Sequence, residues 1–400
     1  RIAPYIQAAQ NLKLDVLVVS QGQYSLVSEV AAGVHVDFQN MELALQQIKE
    51  AIQKHPVSGV VGTDDLTVSL ASQIGESLGF AHNPPEAALL SRRKDLARAH
   101  LKTAGVSVPE HVLIPLAQSK EKEACIQYPC VVKPVSLSGS RGVIRADNSQ
   151  QFSEACERIS IMLSKEQQLP EEERDHVLVE EFISGPEFAL EGLLNKGQLQ
   201  VLALFDKPDP LEGPYFEETY YITPSRLESQ LQDRIIQCVS DACRAYGLVE
   251  GPVHAEVRLK DESPWIMEVA ARTIGGQCAK LIEFGTGRSL EEMVLLHAVG
   301  NPLPVRNEQG AAGVLMIPIP RAGILRRVEG LMQALDVPFI EDIEFGVREG
   351  YELVPLPEGS SYLGFIFASA PTPGKVEKAL RKAHSCLKIV TAPVLNVQKQ

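Results

Sequence analysis

Two glutamates in strand-like segments could hold a metal ion together. Glu256 lies in the segment HAEVRL and Glu268 in the segment IMEVAAR, with a turn-like stretch between them at residues 261–264. A hairpin would place the segments side by side, so that both carboxylates could point to the same face. Carboxylates among apolar neighbours are costly unless a charge neutralises them, and Mg²⁺ takes carboxylate oxygens together with phosphate oxygens. The pair predicts a magnesium site, or alternatively two glutamates on the solvated face of an antiparallel hairpin.

Two lysines and a small-residue loop could bind phosphate groups. Lys133 is the one cation in the apolar segment YPCVVKP, and the loop SLSGSRGV follows it at residues 136–143. A buried lysine needs an anionic partner, for which a triphosphate would serve, and such a loop can bring backbone N–H groups onto phosphate oxygens. The loop lacks the GK[ST] ending of a P-loop. Lys94 opens the helix-like segment KDLARAHLKTAG. The alternatives are an exposed strand end for Lys133 and a solvated helix start for Lys94.

A turn between two apolar segments could contact a nucleotide base. The stretch EEFISGPEF, residues 180–188, leaves one strand-like segment, turns at Gly185 and Pro186, and enters another. Backbone N–H and C=O groups at such a turn can form hydrogen bonds with an adenine. Glu187 could accept hydrogen bonds from the ribose hydroxyls. The alternative is an ordinary hairpin with an acidic rim.

Arg272 stands four residues after Glu268 and shortly before Gly275 and Gly276. Arginine presents a planar fork of donors that suits a carboxylate or phosphoryl group. Two neighbouring glycines would let backbone amides approach a developing oxyanion. The alternative is a solvated arginine before an ordinary Gly-Gly turn.

The elements that must position these residues begin with an α/β pattern. Residues 14–20 and 59–63 are short β-branched runs, and residues 41–54 and 66–78 have helical periodicity. This order favours a parallel sheet with crossover helices. The Asn83-Pro84-Pro85 break would close this first domain near residue 88. Because the chain opens in a helix-like stretch, we expect a further segment, such as a strand, to precede it.

The middle and end of the chain predict a second and a third unit. Helices are predicted at residues 94–104, 150–164 and 228–246, and strands at 130–133, 177–180, 188–194, 200–205, 253–259 and 265–270. Residues 170–175, rich in proline and glutamate, predict an exposed loop. A break near residues 300–302 precedes a smaller α+β tail, in which residues 375–386 form a helix.

Composition excludes several classes of protein. The 400 residues are 44% hydrophobic, and the net charge is −13, so a basic surface for nucleic acid is not apparent. Seven scattered cysteines without a CxxC pair predict reduced thiols rather than a zinc site or a disulfide framework. No apolar run has the length of a membrane span. We therefore expect a cytoplasmic protein that binds neither nucleic acid nor a membrane.

The order and spacing of these motifs resemble the ATP-grasp superfamily over residues 1 to about 300. In chain order the motifs are Lys94, VVKP, the Gly/Ser loop, EEFISGPEF, HAE and MEVAAR. The EVAAR-TIGG run, the segment FEETYYITPS at residues 216–225 and the tail look most like L-amino acid ligases. Those enzymes make dipeptides and are related to carnosine-synthase-type carboxylate–amine ligases. The implied fold is α/β and α+β. It has an N-terminal parallel-sheet domain (1–88), a two-part ATP-binding core (89–300, with a small subdomain at about 125–185) and a C-terminal α+β domain (301–400).

The resemblance implies a role for each candidate residue. Phosphate and nucleotide ligands would be Lys94, Lys133, Ser138, Gly139, Ser140, the adenine-binding hinge Glu180, Glu181, Phe182 and Ile183, and Glu187 on the ribose. Glu256 and Glu268 would bind Mg²⁺, for which Mn²⁺ could substitute. Arg272 would hold the substrate carboxylate or acyl phosphate, with the Gly275 amide as oxyanion donor and Glu218 near the amino-acid site.

Three positions depart from the patterns of these families. Ala270 stands where many ATP-grasp enzymes carry a metal-binding Asn, which predicts a metal held by fewer protein ligands. Tyr221 stands where ligases often have a histidine, so substrate preference should not be copied from one ligase. Gly276 leaves space where a bulky pocket residue is possible, which predicts a roomier site.

The implied activity is ATP- and Mg²⁺-dependent joining of an amino acid to another amino acid or amine through an acyl phosphate, with release of ADP and phosphate. Partners would be small carboxylates and amines, and a homodimer is the default assembly for such folds. Two alternatives stay open. One is another ATP-grasp ligase, of the purine-pathway or biotin-carboxylase-like kind. The other is a regulatory protein that binds ATP without turning it over.

Overall fold

A computed structural model describes residues 2–22, 32–38, 40–301 and 310–394. The first elements are α1 (Ile2–Leu12), β1 (Leu17–Gln21), β2 (Ala32–Val36), α2 (Met41–Lys54) and α3 (Asp65–Leu78). β1 and β2 pair in parallel, with Leu17 opposite Ala32. The predicted α/β pattern with a parallel pair is therefore confirmed, and both predicted helices form.

The predicted strand at residues 59–63 is wrong. These residues form no strand, and β2 is the parallel partner of β1 instead. A Cβ on Gly59 would lie 2.3 Å from the carbonyl oxygen of Ala298, and one on Gly62 would lie 2.8 Å from the Cα of Val68. The segment thus packs closely against two helical neighbours, for which its glycines leave room.

The next elements build a four-stranded antiparallel sheet, called here the small sheet, in the strand order β3-β6-β4-β5. The elements in chain order are α4 (Pro85–Leu90), α5 (Lys94–Thr103), β3 (His111–Pro115), α6 (Ser119–Lys122), β4 (Cys130–Pro134), β5 (Ile144–Ala146), α7 (Ser149–Leu163), α8 (Glu171–Arg174) and β6 (His176–Glu181). The apolar face of α7 packs on this sheet, with Phe152 and Ile159 in one buried cluster with Val132 and Ile144.

The loop predicted at residues 170–175 is wrong in its conformation, although most of the stretch is exposed as predicted. Residues 171–174 form α8, and Glu173 is buried because Arg92 donates to both of its carboxylate oxygens, at 2.9 and 2.5 Å. A buried carboxylate paired with arginine is tolerable, so Glu173 is buried within a stretch whose residues 170–172 and 175 are exposed.

The remaining elements build an eight-stranded antiparallel sheet, called here the large sheet, and a three-stranded sheet. In chain order they are β7 (Glu187–Asn195), β8 (Gln198–Lys207), β9 (Tyr220–Thr223), α9 (Ser229–Tyr246), β10 (Gly251–Lys260), β11 (Ser263–Ala270), α10 (Lys280–Thr286), α11 (Leu290–Ala298), β12 (Ala311–Ile317), β13 (Gly323–Glu329), α12 (Leu331–Leu335), β14 (Ile340–Phe345), β15 (Glu352–Leu353), β16 (Gly364–Ala370), α13 (Pro373–Cys386) and β17 (Lys388–Ala392).

Three strands from the tail, β12, β14 and β16, extend the large sheet, and the other three form a separate sheet. The order of the large sheet is β11-β10-β7-β8-β9-β12-β16-β14, while β15, β13 and β17 form the three-stranded sheet. The junction is the pairing of β9 with β12, in which Tyr221 lies opposite Val314. The predicted break at residues 300–302 ends at Pro302, outside the described residues. Tail and core thus share one sheet. The bounds of the three predicted domains stay predictions.

The seven cysteines are all free thiols. Within the described ranges, no helix combines the length and apolar character that a membrane span needs.

Candidate active site

A cavity of about 440 Å³ is lined by residues of both the small and the large sheet. All the residues that the sequence predicted for the site line it. They are Lys94, Lys133, Ser138, Gly139, Ser140, Glu180, Glu181, Phe182, Ile183, Glu187, Glu218, Glu256, Glu268, Arg272 and Gly275. The fold therefore brings the whole set together, although the roles within it stay predictions.

The small sheet contributes a wall rich in cations. The Nζ atom of Lys133 lies 2.5 Å from one carboxylate oxygen of Glu180, and the Nε atom of Arg98 lies 2.7 Å from the other. Burial lowers the pKa of Lys133 to about 8; the charge of Arg98 acts in the same direction and Glu180 opposes it. Burial tends to raise the pKa of Glu180, but the charges of Arg98 and Lys133 hold it below its usual value. Lys133 is thus buried, and the alternative of an exposed strand end is wrong.

Lys94 joins this wall to the loop that follows β4. Its backbone N–H donates to the carbonyl of Val135 at 2.9 Å, and its Nζ donates to the carbonyl of Leu137, also at 2.9 Å. The same Nζ lies 3.6 Å from Glu268 across the cavity. In the glycine-rich loop, defined here as residues 136–142, a Cβ on Gly139 would meet nothing within 4 Å. The loop backbone is therefore open at this point.

An apolar slot adjoins the predicted hinge. Val131, Phe182 and Phe216 form one buried cluster against which Val143 and Leu211 pack. All five line the cavity, and the two phenyl rings lie 6.3 Å apart. This slot has the chemistry to accept a planar base. Sequence reasoning missed both residues as parts of the site. Leu211 lies in no motif that it selected, and Phe216 opens the segment FEETYYITPS, which was used for the resemblance alone.

The hinge backbone is partly used by the protein itself. The N–H groups of Glu181 and Phe182 donate to the carbonyls of Glu110 and Pro129, at 2.8 and 3.2 Å. The carbonyl of Ile183 accepts from Arg258 at 2.7 Å. The predicted adenine contact must therefore use other backbone groups or the second lone pair of a carbonyl.

The large sheet contributes a wall rich in carboxylates. β10 and β11 form the predicted hairpin, in which Glu256 lies directly opposite Glu268. Lys207, at the end of β8, is buried among carboxylates: its Nζ lies 2.7 Å from Glu187 and 3.4 Å from Glu256, and it donates to Glu218. Sequence reasoning missed Lys207. Its signal was present, because the runs VVKP and FDKP both end an apolar strand in lysine and proline.

The carboxylates of this wall form a group that fits a divalent cation. One oxygen each from Glu187, Glu218 and Glu256 lies within 4.8 Å of the others. Burial and the negative charge of Glu256 raise the pKa of Glu218 to about 7. Oxygen donors that repel one another in a buried site suit a hard cation such as Mg²⁺. Ala270 supplies no ligand, but two further carboxylates stand beside Glu256.

Glu187 has a different environment from the one that the resemblance implied. One of its oxygens accepts from Lys207 at 2.7 Å and the other from Arg258 at 2.8 Å. A carboxylate oxygen can accept more than one hydrogen bond, so a ribose contact remains a prediction.

A buried chain of polar groups connects Glu256 to the turn that follows β11. His254 places Nε2 3.5 Å from Glu256 and Nδ1 3.2 Å from Glu191. Glu191 in turn accepts from the backbone N–H of Ile274 at 3.1 Å. Glu191 had not been selected from the sequence. Its place in the apolar strand EFALEGLL was the available signal, because a carboxylate there needs a partner.

Arg272 lies at the junction with the N-terminal elements. It is only 6% exposed, so the alternative of a solvated arginine is wrong. Its Nε donates to Asp65 at the start of α3, at 2.7 Å, and its Nη1 donates to the carbonyl of Thr273. These two contacts fix the guanidinium at the wall of the cavity.

The predicted roomier site at Gly276 is wrong. A Cβ on Gly276 would lie 2.4 Å from the sulfur atom of Met316, which comes from β12. Met316 therefore fills the space that the glycine leaves, and Tyr221 and Cys278 are buried in the same apolar cluster. Only the long-range pairing of β9 with β12 brings Met316 here.

Comparisons with known proteins agree with this architecture. Residues 126–280 match the ATP-grasp domain family, and residues 315–392 match the L-amino acid ligase C-terminal domain 2. Alanine–anticapsin ligase from Bacillus subtilis (strain 168) is 24% identical, over 64% of this chain and 56% of its own length. Dapdiamide A synthase from Enterobacter agglomerans is 26% identical, over 62% of this chain and 58% of its own length. The chain thus spans little more than half the length of these two curated relatives.

A solved structure covers almost the whole chain. The crystal structure of an L-amino acid ligase from Bacillus licheniformis has a TM-score of 0.84 and 26% identity, over 97% of this chain and 95% of the other. The two matched domains lie in the core and in the tail, and both contribute residues to the lining of the cavity. The chain therefore contains an ATP-grasp domain and an L-amino acid ligase C-terminal domain, and it resembles the L-amino acid ligases over nearly its whole length.

Proposed function

We propose that this protein joins the carboxylate of an amino acid to another amino acid or amine, using ATP and Mg²⁺ and releasing ADP and phosphate. One observation carries the proposal: a cation-rich wall and a carboxylate-rich wall line the same cavity. The first suits a triphosphate and the second suits the metal ion that accompanies it. The L-amino acid ligase C-terminal domain and the ligases among the relatives support a carboxylate–amine reaction.

The small-sheet wall is the proposed nucleotide site. Lys94 and Lys133 would neutralise the phosphates, and the glycine-rich loop would donate backbone N–H groups to them. The adenine would enter the slot between Phe182 and Phe216. A phosphate oxygen would then replace part of the contact between Lys133 and Glu180.

The carboxylate wall is the proposed metal site. Glu256 and Glu268 would be metal ligands, and Glu187 and Glu218 stand close enough to Glu256 to share the ion. Mg²⁺ held by these carboxylates would offset the charge on the transferring phosphoryl group. Lys207 meanwhile holds the carboxylates in place, and its own positive charge is retained because the three carboxylates outweigh the effect of burial.

The proposed reaction has two steps. An oxygen of the substrate carboxylate attacks the γ-phosphorus of ATP and ADP leaves, which gives an acyl phosphate. The amine then attacks the acyl carbon, phosphate leaves, and the amine loses a proton. Arg272, fixed by Asp65, would orient the carboxylate; the Gly275 amide would donate to the oxyanion, and Glu218 would contact the amine.

The direct test supplies pairs of amino acids with MgATP and identifies the products. We expect a dipeptide, ADP and phosphate in equal amounts. AMP and pyrophosphate would contradict the mechanism. ATP hydrolysis that depends on bicarbonate would favour a biotin-carboxylase-like enzyme, and ATP binding without turnover across a broad panel would favour a regulatory protein.

A second test addresses the metal ligands. Glu268→Gln removes one charged oxygen ligand while keeping the shape of the side chain, so we expect loss of most magnesium-dependent turnover. Glu262→Gln is the matched control, because Glu262 lies exposed in the turn of the same hairpin. Unchanged turnover of the Glu268 variant would remove Glu268 from the site.

A further inference from the structure

The loop between β15 and β16, residues 354–363, contacts the small-sheet side of the cavity. The carbonyl of Pro357 accepts from the N–H of Gly142 at 2.9 Å, and the carbonyl of Glu358 accepts from the Nε of Arg141 at 3.2 Å. The carboxylate of Glu358 accepts from Arg158 in a fork, with an Nη2–Oε2 distance of 2.8 Å and a second bond from Nε. Two of these three partners, Arg141 and Gly142, are the last residues of the glycine-rich loop.

This β15–β16 loop is itself firmly held. The N–H of Gly359 donates to the carbonyl of Pro355 at 2.9 Å, and a Cβ on Gly359 would lie 1.9 Å from the carbonyl oxygen of Val354. The N–H of Leu363 donates to the carbonyl of Ile317 at the end of β12. The loop is therefore a fixed extension of the large sheet and can serve as an anchor.

The glycine-rich loop needs such an anchor. Gly139, Ser140 and Gly142 have φ angles of +66°, +55° and +73°, in the left-handed region. Glycine-rich backbone loses more conformational entropy on ordering than any other. A loop that is already held in its binding conformation avoids part of this cost when the ligand arrives.

We propose that Glu358 is a positioning residue. Its carboxylate ties the β15–β16 loop to Arg158 of α7, and the backbone carbonyls of that loop then hold Arg141 and Gly142 of the glycine-rich loop ready for the ATP phosphates. This inference rests on the proposed function, because it assumes that the loop binds nucleotide. It assigns part of the nucleotide site to the C-terminal region of the chain. Ser360 and Ser361 of the same loop line the cavity, which agrees with that assignment.

The expected effect of a Glu358 substitution on nucleotide binding follows from the geometry of its contact with Arg158. Its hydrogen bonds with Arg158 hold the pKa of Glu358 below its usual value, so the pair is charged at neutral pH. Forked arginine–carboxylate pairs are stronger than single bonds, but both side chains are about 40% exposed, and exposed pairs are weakened by solvent and salt. We therefore expect a moderate effect that becomes smaller at high salt.

The test measures nucleotide binding and steady-state kinetics of the full chain. Glu358→Gln should raise the Kd for a non-hydrolysable MgATP analogue and the KM for ATP by about threefold to tenfold. The KM for the amino-acid substrates and kcat should change less than about twofold, because Glu358 is not among the residues that line the cavity. Glu329→Gln is the matched control: Glu329 pairs with Arg327 and Lys388 in the three-stranded sheet. It should leave all these constants unchanged.

A double-mutant cycle separates positioning from general damage. Arg158→Met should weaken nucleotide binding as Glu358→Gln does, and the double variant should bind no more weakly than the worse single variant. Equal nucleotide affinity of wild type and Glu358→Gln, additive losses in the cycle, or a fall in kcat alone would overturn the inference. Failure of the wild-type protein to bind nucleotide would instead overturn the proposed function.

Discussion

The two walls of the cavity each hold a buried lysine, but the net charges around the two lysines are opposite in sign. On the small-sheet side, Lys133 shares the single carboxylate of Glu180 with Arg98, and Lys94 stands nearby. On the large-sheet side, Lys207 contacts three carboxylates, those of Glu187, Glu218 and Glu256. Burial lowers the pKa of Lys133, whereas the three carboxylates raise that of Lys207 well above its usual value even though burial opposes them.

This difference indicates what each wall is built to receive. A wall with more cations than carboxylates gains most from an anion, because the anion relieves repulsion among buried cations. A wall with more carboxylates gains most from a metal cation, for the same reason with the signs reversed. The two lysines look alike in sequence, so the charge of the surroundings distinguishes a ligand-binding lysine from a structural one.

The largest expected effect concerns stability. Lys207→Met leaves three buried carboxylates without their shared partner, so we expect a loss of about 3–5 kcal/mol in the free energy of unfolding. Lys133→Met should cost less, about 1–3 kcal/mol, because Glu180 keeps Arg98. Urea denaturation without nucleotide or metal measures both values. Equal losses would show that the two walls do not differ as described.

The next effect concerns turnover. Glu256→Gln should lower kcat by about 10²–10³-fold, since it removes a charge that helps to hold the metal at the transferring group. It should also raise the Mg²⁺ concentration needed for half-maximal rate. Lys133→Met should act mainly on the KM for ATP. Steady-state titrations of Mg²⁺ and of ATP separate the two, and the same pattern in both variants would contradict the assignment of the walls.

The smallest effect is a pH dependence of ATP binding. The pKa of Lys133 in the folded protein is about 8, below the ordinary lysine value of 10.5, so its charge is present below pH 8 and lost above it. We expect the KM for ATP to rise above pH 8, by at most about tenfold per pH unit. Because the unfolded chain keeps this proton up to a higher pH, Lys133 also makes stability rise between about pH 8 and 10.5.

Lys133→Arg provides the control for this pH dependence, since arginine stays charged over the whole range. The variant should have a flatter profile for the KM of ATP between pH 7 and 9. A wild-type KM that is constant across pH 8 would remove Lys133 from the phosphate site.

Local sequence patterns predicted most helices and strands correctly, but they failed where tertiary packing determined the backbone conformation. The helix at residues 41–54 and the hairpin of β10 and β11 were predicted, because their periodicity is complete within each segment. The run at residues 59–63 had the composition of a strand, yet contact with Ala298 and Val68 determined its conformation. Residues 171–174 were polar enough for a loop, yet they form a helical turn in which Glu173 is buried against Arg92.

The prediction of the site residues succeeded and failed for the same reason. Residues carried by short motifs, such as Lys133, Glu256 and Arg272, were found because each motif is local. Leu211 was missed because it enters the apolar slot from outside the selected motifs, and Phe216 was missed because the segment FEETYYITPS was used only for the resemblance. Met316 was missed because it reaches Gly276 only through the pairing of β12 with β9.

The sequence by itself determined which charged residues stand in apolar strands, and hence that Lys133, Glu256 and Glu268 needed partners. Alternation along a strand and a short turn are enough for that, because they depend on neighbours in the chain. Tertiary structure alone decided the partners: Glu180 for Lys133, three carboxylates for Lys207, Asp65 for Arg272 and the β15–β16 loop for Gly142. Many of these contacts join residues far apart in the chain, and no local periodicity encodes a contact of that kind.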